Sequence, residues 1–381
     1  MISRRSLICT ALAAAAVLPR PTAAQAFDAA KLAARLVELG IKLDGKPPTT
    51  ELVNSASALS VTDAAAKVTD ADVALIARMP KLAALDLPGA EQLTHAAMVA
   101  IAQSPTIWSL TLSRQKIGDA GVAALIPTAN LKALALDGVT GITAAAGSHL
   151  AAMKKLEQVF LTSTGMTDDG LKALAGHPSL TRLVLTGMKS ITDVGVAALG
   201  GVPNLSVLTL DQTNIDGSCF KSLAAAKRLT TLGLMATKLT DETAQDLAGL
   251  GGLQKLHIAR TKITDRALSA VGKLAYLDTL YLLDAAITDA GMKLLSGLEI
   301  LKVLMLNNTA IGDAGIAALN PAKLTALSLN GTKVTDAGLL TLAAFPLLTT
   351  VTLRQTAVTD AGIKAAMDAR PANLPKLRMS K

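Results

Sequence analysis

Aromatic residues are nearly missing from this chain: four Phe, two Tyr and one Trp make up 2% of its 381 residues, although 51% are hydrophobic. A single thick core built around large rings is therefore excluded, and the interior has to be assembled from many Leu, Ala, Val and Ile side chains in thin, repeated layers. Cysteine is almost as scarce. Of the two present, Cys9 falls in an N-terminal leader and Cys219 is left alone, which excludes an intramolecular disulfide in the rest of the chain. Long apolar runs are lacking too. The run from Leu7 to Leu18 is too short for a span of about 20 residues, and no later segment sustains one without charge, so integral membrane association is not expected. A strong excess of one charge is also absent: the formal +8 falls to +5 once Arg4, Arg5 and Arg20 of the leader are discounted. Such a balance favours solubility and selects no partner. Lys and Arg are scattered and not interleaved with stacking aromatics, so nucleic acid is not an expected partner.

Residues 1–26 read as an export signal: Ser3-Arg4-Arg5 precedes the apolar run, and Ala24-Gln25-Ala26 offers small residues for cleavage before Phe27. The double arginine followed by Leu7 and Ile8 resembles a twin-arginine signal, while a general secretory leader with two arginines fits the same residues. Either route predicts a periplasmic or secreted protein. Residues 27–55 follow as an N-terminal cap, with helical periodicity from Asp28 to Leu39 and short extended pieces broken by Gly45, Pro47 and Pro48.

What is abundant is a repeat. The pattern Leu-x-x-Leu-x-Leu appears as Leu82-Leu85-Leu87, Ile107-Leu110-Leu112 and Leu131-Leu134-Leu136, and continues to Leu348-Val351-Leu353 and Leu374-Leu377-Met379. Its central residue recurs every 23 to 26 positions, and a degenerate earlier copy stands at Leu59 and Val61. Within each unit a period-2 apolar stretch is followed by a Thr-Asp or Gly-Asp step and then by apolar residues at helical spacing, as in Ile263-Thr264-Asp265 with Leu268 and Val271. The unit is thus strand, turn, helix. Either the Thr or the Asp can accept from the first free helix amides, and the Asp charge suits the positive end of the helix dipole, so these aspartates need no catalytic role. Pro80, Pro105, Pro178, Pro203 and Pro346 fall where a helix ends. Strands about 4.8 Å apart backed by helices about 10 Å wide must bend, with the sheet inside. Residues 56–381 are accordingly expected to form an α/β solenoid of about 13 repeats.

These residues resemble the leucine-rich repeats, in particular a bacterial subclass whose helices open with Thr-Asp-Ala-Gly, as at Thr288-Asp289-Ala290-Gly291, Thr335-Asp336-Ala337-Gly338 and Thr359-Asp360-Ala361-Gly362. The resemblance covers residues 56–379 and extends to ribonuclease-inhibitor-like and F-box-associated repeats. It implies a right-handed horseshoe with a parallel concave sheet and helices on the convex side. Where that family often carries Asn or Cys after the strand, this chain has Thr164, Thr213, Thr237, Thr261, Thr309, Thr332 and Thr356, expected to bond backbone groups of a neighbouring coil.

Catalytic and metal constellations are not evident. Ser113-Arg114-Gln115-Lys116 and Ser218-Cys219-Phe220-Lys221 match Ser-x-x-Lys without its companion motifs, and His95, His149, His177 and His257 lie in separate repeats. No enzyme activity, cofactor or metal is expected. Strand alternation instead leaves a column of residues on the concave face that the fold does not specify: Asp86, Thr111, Ala135, Phe160, Val184, Thr209, Gly233, His257, Tyr281, Met305, Ser328, Thr352 and Arg378. In so aromatic-poor a chain, Phe160 and Tyr281 in that column and Trp108 at a nearby strand are candidate anchors for a protein or peptide. Val184, His257, Arg260, Leu283, Met305 and Arg354 complete the candidate partner-binding set, centred on His257, Tyr281, Leu283 and Met305. Two other functions are compatible with fewer of these residues: the recognition arm of a ubiquitin-ligase-like effector, which rests on the F-box resemblance alone, and an envelope hydrolase using Ser113 or Ser218.

Overall fold

In each unit the leucines of the repeat point one way and their neighbours the other. Along β2 (Ala84–Pro88), Leu85 and Leu87 are buried while Ala84, Asp86 and Pro88 are only half-covered, the alternation of a strand with one face on a core. The structure is a computed structural model and describes residues 27–62 and 67–381; the export-signal reading of residues 1–26 lies outside the described residues. β2 is preceded by β1 (Ala58–Ser60) and followed by β3 (Ser109–Ser113), β4 (Ala133–Asp137), β5 (Gln158–Phe160), β6 (Arg182–Val184) and β7 (Val207–Thr209). Then come β8 (Thr231–Gly233), β9 (Lys255–His257), β10 (Thr279–Tyr281), β11 (Val303–Met305), β12 (Ala326–Ser328), β13 (Thr350–Thr352) and β14 (Arg378–Ser380). Each strand pairs in parallel with its sequence neighbours, giving one 14-stranded sheet in chain order. Helices between successive strands stack behind it, so the chain is a right-handed α/β horseshoe with the sheet on the concave side. One cluster of buried side chains runs without a break from Ala29 to Leu377.

The degenerate copy around Leu59 forms β1, so the sheet begins one strand earlier than the clear repeats. At the other end the expected register is wrong by two residues: Val351 pairs with Met379 and Thr350 with Arg378. Arg378 therefore leaves the central concave column, and Ser380 takes its place beside Thr352.

Two hydrogen-bond assignments also change. Thr288 Oγ1 accepts from the Ala290 amide, 3.3 Å away, and so caps its own helix. The amide and hydroxyl of the same Thr288 donate to the carboxylate of Asp265 in the preceding repeat, at 2.9 and 2.5 Å. Asp70 with Thr94, Asp119 with Thr143, Asp168 with Thr192, Asp241 with Thr264, Asp313 with Thr335 and Asp336 with Thr359 form the same clasp. The Asp of the motif thus ties its repeat to the next one and does not cap its own helix. The glycine has a reason as well: a Cβ on Gly291 would collide with the Asp265 carboxylate. Conversely, the threonines after the strands do not bond backbone groups of a neighbouring coil; Thr164 alone among them reaches one, at the Met188 sulfur. Thr213, Thr237, Thr261, Thr309 and Thr332 each donate to the carbonyl three residues back in their own repeat, at 2.6 to 2.9 Å, and close the turn out of the strand.

Ahead of the sheet, α1 (Ala29–Glu38) buries Leu32 and Leu36 in the common core, and α2 (Thr50–Ser55) buries Val53. Arg35 forks onto Asp72 through Nε and Nη2 at 2.7 and 3.2 Å, fastening α1 to the helix Asp70–Ile76. Burial works to raise the Asp72 carboxyl, but the hydrogen bonds from Arg35 and Thr69 outweigh it and hold the group below the usual carboxylate range.

Candidate functional site

The strand register brings the central concave column together as expected from β2 to β13: Phe160 lies beside Val184, then Thr209, Gly233, His257, Tyr281 and Met305 follow, one per strand. Spacing between strands is about 4.8 Å, so residues two strands apart are about 10 Å apart. This divides the candidate residues. Phe160 and Val184 form one half-buried pair, and Thr209 and Gly233 separate it from a second group, His257, Tyr281 and Met305. Leu283 lies two residues beyond Tyr281 and is half-buried. The others stand apart. Trp108 is exposed and precedes β3 at the sheet's entry edge, where its amide donates to the Ala83 carbonyl at 2.9 Å. Arg354 follows β13, two strands beyond Met305, and its amide donates to Asn330 Oδ1 at 2.7 Å. Arg260 sits in the turn after β9 with φ of 56° and is paired to Asp284 at 3.0 Å, so its charge is already matched.

The centre of the second group is a ring stack. The His257 and Tyr281 rings lie parallel within 5°, with centroids 4.2 Å apart. Burial depresses the His257 imidazole below its ordinary value; the Asp211 charge opposes this and Lys255 reinforces it, so the ring is neutral at pH 7. Two residues beyond Gly233, His257 and Tyr281 in their repeats stand Met235, Ala259 and Leu283, the alanine buried and the other two half-buried.

Sequence reasoning missed Asp211. It follows β7 by two residues, on the concave face, and its Oδ1 accepts from the Met235 amide at 2.8 Å. Its carboxylate leans over Gly233, where a Cβ would sit 3.0 Å from Oδ1. Burial pushes its carboxyl above the ordinary range, opposed by the Met235 amide and by His257, and among the described residues no Lys or Arg forms an ion pair with it. The available signal was an acid at a position that Asp137 shares but where the two preceding repeats carry Thr162 and Thr186. A second missed feature lies at the N-terminal end of the same face. There the turn Lys42 to Gly45, closed by the Leu43 and Lys46 backbone bridge, overhangs β1 to β3 and encloses about 340 Å³ with Ser60, Asp86, Ser109 and Thr111 on its floor.

Elsewhere the residues considered for chemistry have ordinary settings. Lys221 faces Asp246 at 3.7 Å, the Ser218 amide donates to Asp216 at 2.9 Å, and His177 lies buried with its ring accepting from the Leu180 amide at 3.1 Å. Ser113 ends β3 on the concave side. Among the described residues no three His, Cys, Asp or Glu side chains converge as a metal site would require, and no helix is long and apolar enough to cross a membrane.

Comparison with known proteins bears on the fold. A family model described as Leucine Rich repeat matches residues 320–343. No curated protein matches the sequence. Among solved structures, an internalin of Listeria monocytogenes superposes with a TM-score of 0.61 at 23% identity, covering 93% of this chain and 95% of that one. A leucine-rich-repeat protein of Leptospira interrogans gives 0.57 at 20% identity, over 81% of this chain and 74% of the other. A chain of the yeast Rad7 and Elc1 complex gives 0.53 at 18% identity, over 82% and 83%. At these identities the likeness is one of fold.

Proposed function

Since the chain is a leucine-rich-repeat protein in both sequence pattern and fold, with a row of concave side chains that its core does not use, we propose that it is a non-catalytic scaffold that binds a protein or peptide on that row. The observation that carries this reading is the group His257, Tyr281, Met305, Leu283 and Met235. A stacked pair of rings and three apolar side chains are gathered on the inner face of the sheet, where the core does not need them. The assembly of Rad7 with Elc1, and of FLRT2 with latrophilin and Unc5D, are instances of this fold in protein complexes. On this reading residues 1–26 direct export and the scaffold acts outside the cytoplasm, with Trp108, Phe160 and Val184 extending the contact surface toward the N-terminal end. The test is affinity capture from envelope extracts with the mature chain, repeated with Tyr281→Ala combined with Met305→Ala. A captured protein whose binding falls at least ten-fold in the double variant is the expected result; equal binding removes the site.

A further inference from the structure

The charge of Asp211 has no structural purpose that a neutral side chain would not serve. Asn307 and Asn330 occupy the equivalent position in later repeats and do the same work, accepting from the amides of Asn330 and Arg354 at 3.0 and 2.7 Å. A half-buried carboxylate without a cation is costly to keep, and this one stands beside the ring stack.

The stack's geometry shows what meets that carboxylate. Centroids 4.2 Å apart on adjacent strands, with planes only 5° from parallel, mean that the rings are stacked along the direction from strand to strand. Tyr281 covers one face of His257. On the other side of His257 runs β8, where Gly233 has no side chain and is buried with the Asp211 carboxylate against it. A neutral aromatic ring and a carboxylate thus flank the Gly233 position, with half-buried Met235 alongside. A guanidinium matches both groups: it is planar, stacks on rings, forks onto a carboxylate through two N–H groups and is more weakly hydrated than an ammonium. Resting on the concave-face reading above, we propose that Asp211 and His257 together receive an arginine side chain of the bound polypeptide, its guanidinium packed against His257 and paired with Asp211.

Random heptapeptides displayed on phage and selected on the wild-type chain provide the probe. The best binder is synthesised twice, with arginine and with its neutral isostere citrulline, and both are titrated calorimetrically at pH 7.5. The expected result is arginine in the selected peptides and at least ten-fold weaker binding of the citrulline form. Asp211→Asn, which keeps the bond to the Met235 amide, should bind the two forms equally, whereas Asp137→Asn should retain the ten-fold difference. Peptides that need Tyr281 but lack arginine, or a citrulline penalty that survives Asp211→Asn, overturn the arginine site and leave the concave-face reading standing. Binding indifferent to Tyr281→Ala, or no selected peptide at all, counts against both.

Discussion

At the scale of single residues, the least comfortable group in the molecule is Asp211. Its folded carboxyl binds a proton more tightly than the unfolded chain does, so stability contributed by that proton is complete below the unfolded value of about 3.9 and is lost as pH rises through the raised folded value. Ionised Asp211 therefore weakens the fold at pH 7. Asp211→Asn should raise the denaturant midpoint at pH 7, and the gain should shrink as pH falls and wild type takes up its proton; a lower midpoint at pH 7 would show that the charge is compensated in the folded chain. Backbone strain is a second residue-scale cost. The fourth residue after the central strand position adopts positive φ in repeat after repeat, by Gly187 and Gly331 in some and by Ala236 at 56° in another. A left-handed residue with a Cβ costs roughly 1–2 kcal/mol, more than the 0.5–1 kcal/mol entropy cost of glycine, so Ala236→Gly is expected to stabilise by about 0.5–1 kcal/mol in equilibrium urea unfolding. The concave column was legible in the sequence because alternation alone assigns it. The role of Asp211 was not, since it depends on a neighbouring glycine and on rings that stand next to it only in space.

The element that organises the solenoid is the helix opening, and here the sequence was half legible. Thr-Asp-Ala-Gly marks where many of the helices begin, but the partner of the Asp lies 22 to 24 residues on, in the next coil. In a repeated sequence the same residue types stand at the start of every helix, so spacing cannot distinguish a cap within one unit from a clasp between two. Gly291 and Asp265 expose the difference. Gly291→Ala should destabilise by about 1–3 kcal/mol through overpacking, despite alanine's better helix propensity. Asp265→Ala should lower stability by freeing Thr288, and the double variant should lose less than the two single losses combined, by at least about 0.5 kcal/mol. Strict additivity in a thermal or urea double-mutant cycle would mean that the glycine is there for another reason.

Across the whole molecule, the buried interior was the most legible part, because the same leucines recur in every coil and any error in one is corrected by the next. The last coil shows the limit. Leu377 and Met379 both fit the apolar pattern, and a slip of two residues leaves alternation unchanged, so hydropathy alone could not choose between them. Pairing chose Met379, moving Arg378 and its charge to a different row of the inner face.

The clasp between repeats also bears on how this chain can change length. Ile263-Thr264-Asp265 and Ile287-Thr288-Asp289 are the same tripeptide, and both threonines fasten to the aspartate one coil earlier. Excising residues 265–288 joins Thr264 to Asp289, restores the tripeptide at the seam and leaves Asp241 bonded to Thr264 as before. Such a shortened chain is expected to express, to keep its circular dichroism spectrum per residue and to unfold in one transition, while losing every ligand that depends on Tyr281. Its coils are then interchangeable links, and a lineage can lengthen or shorten the arc by whole links while the joints between them stay as they were.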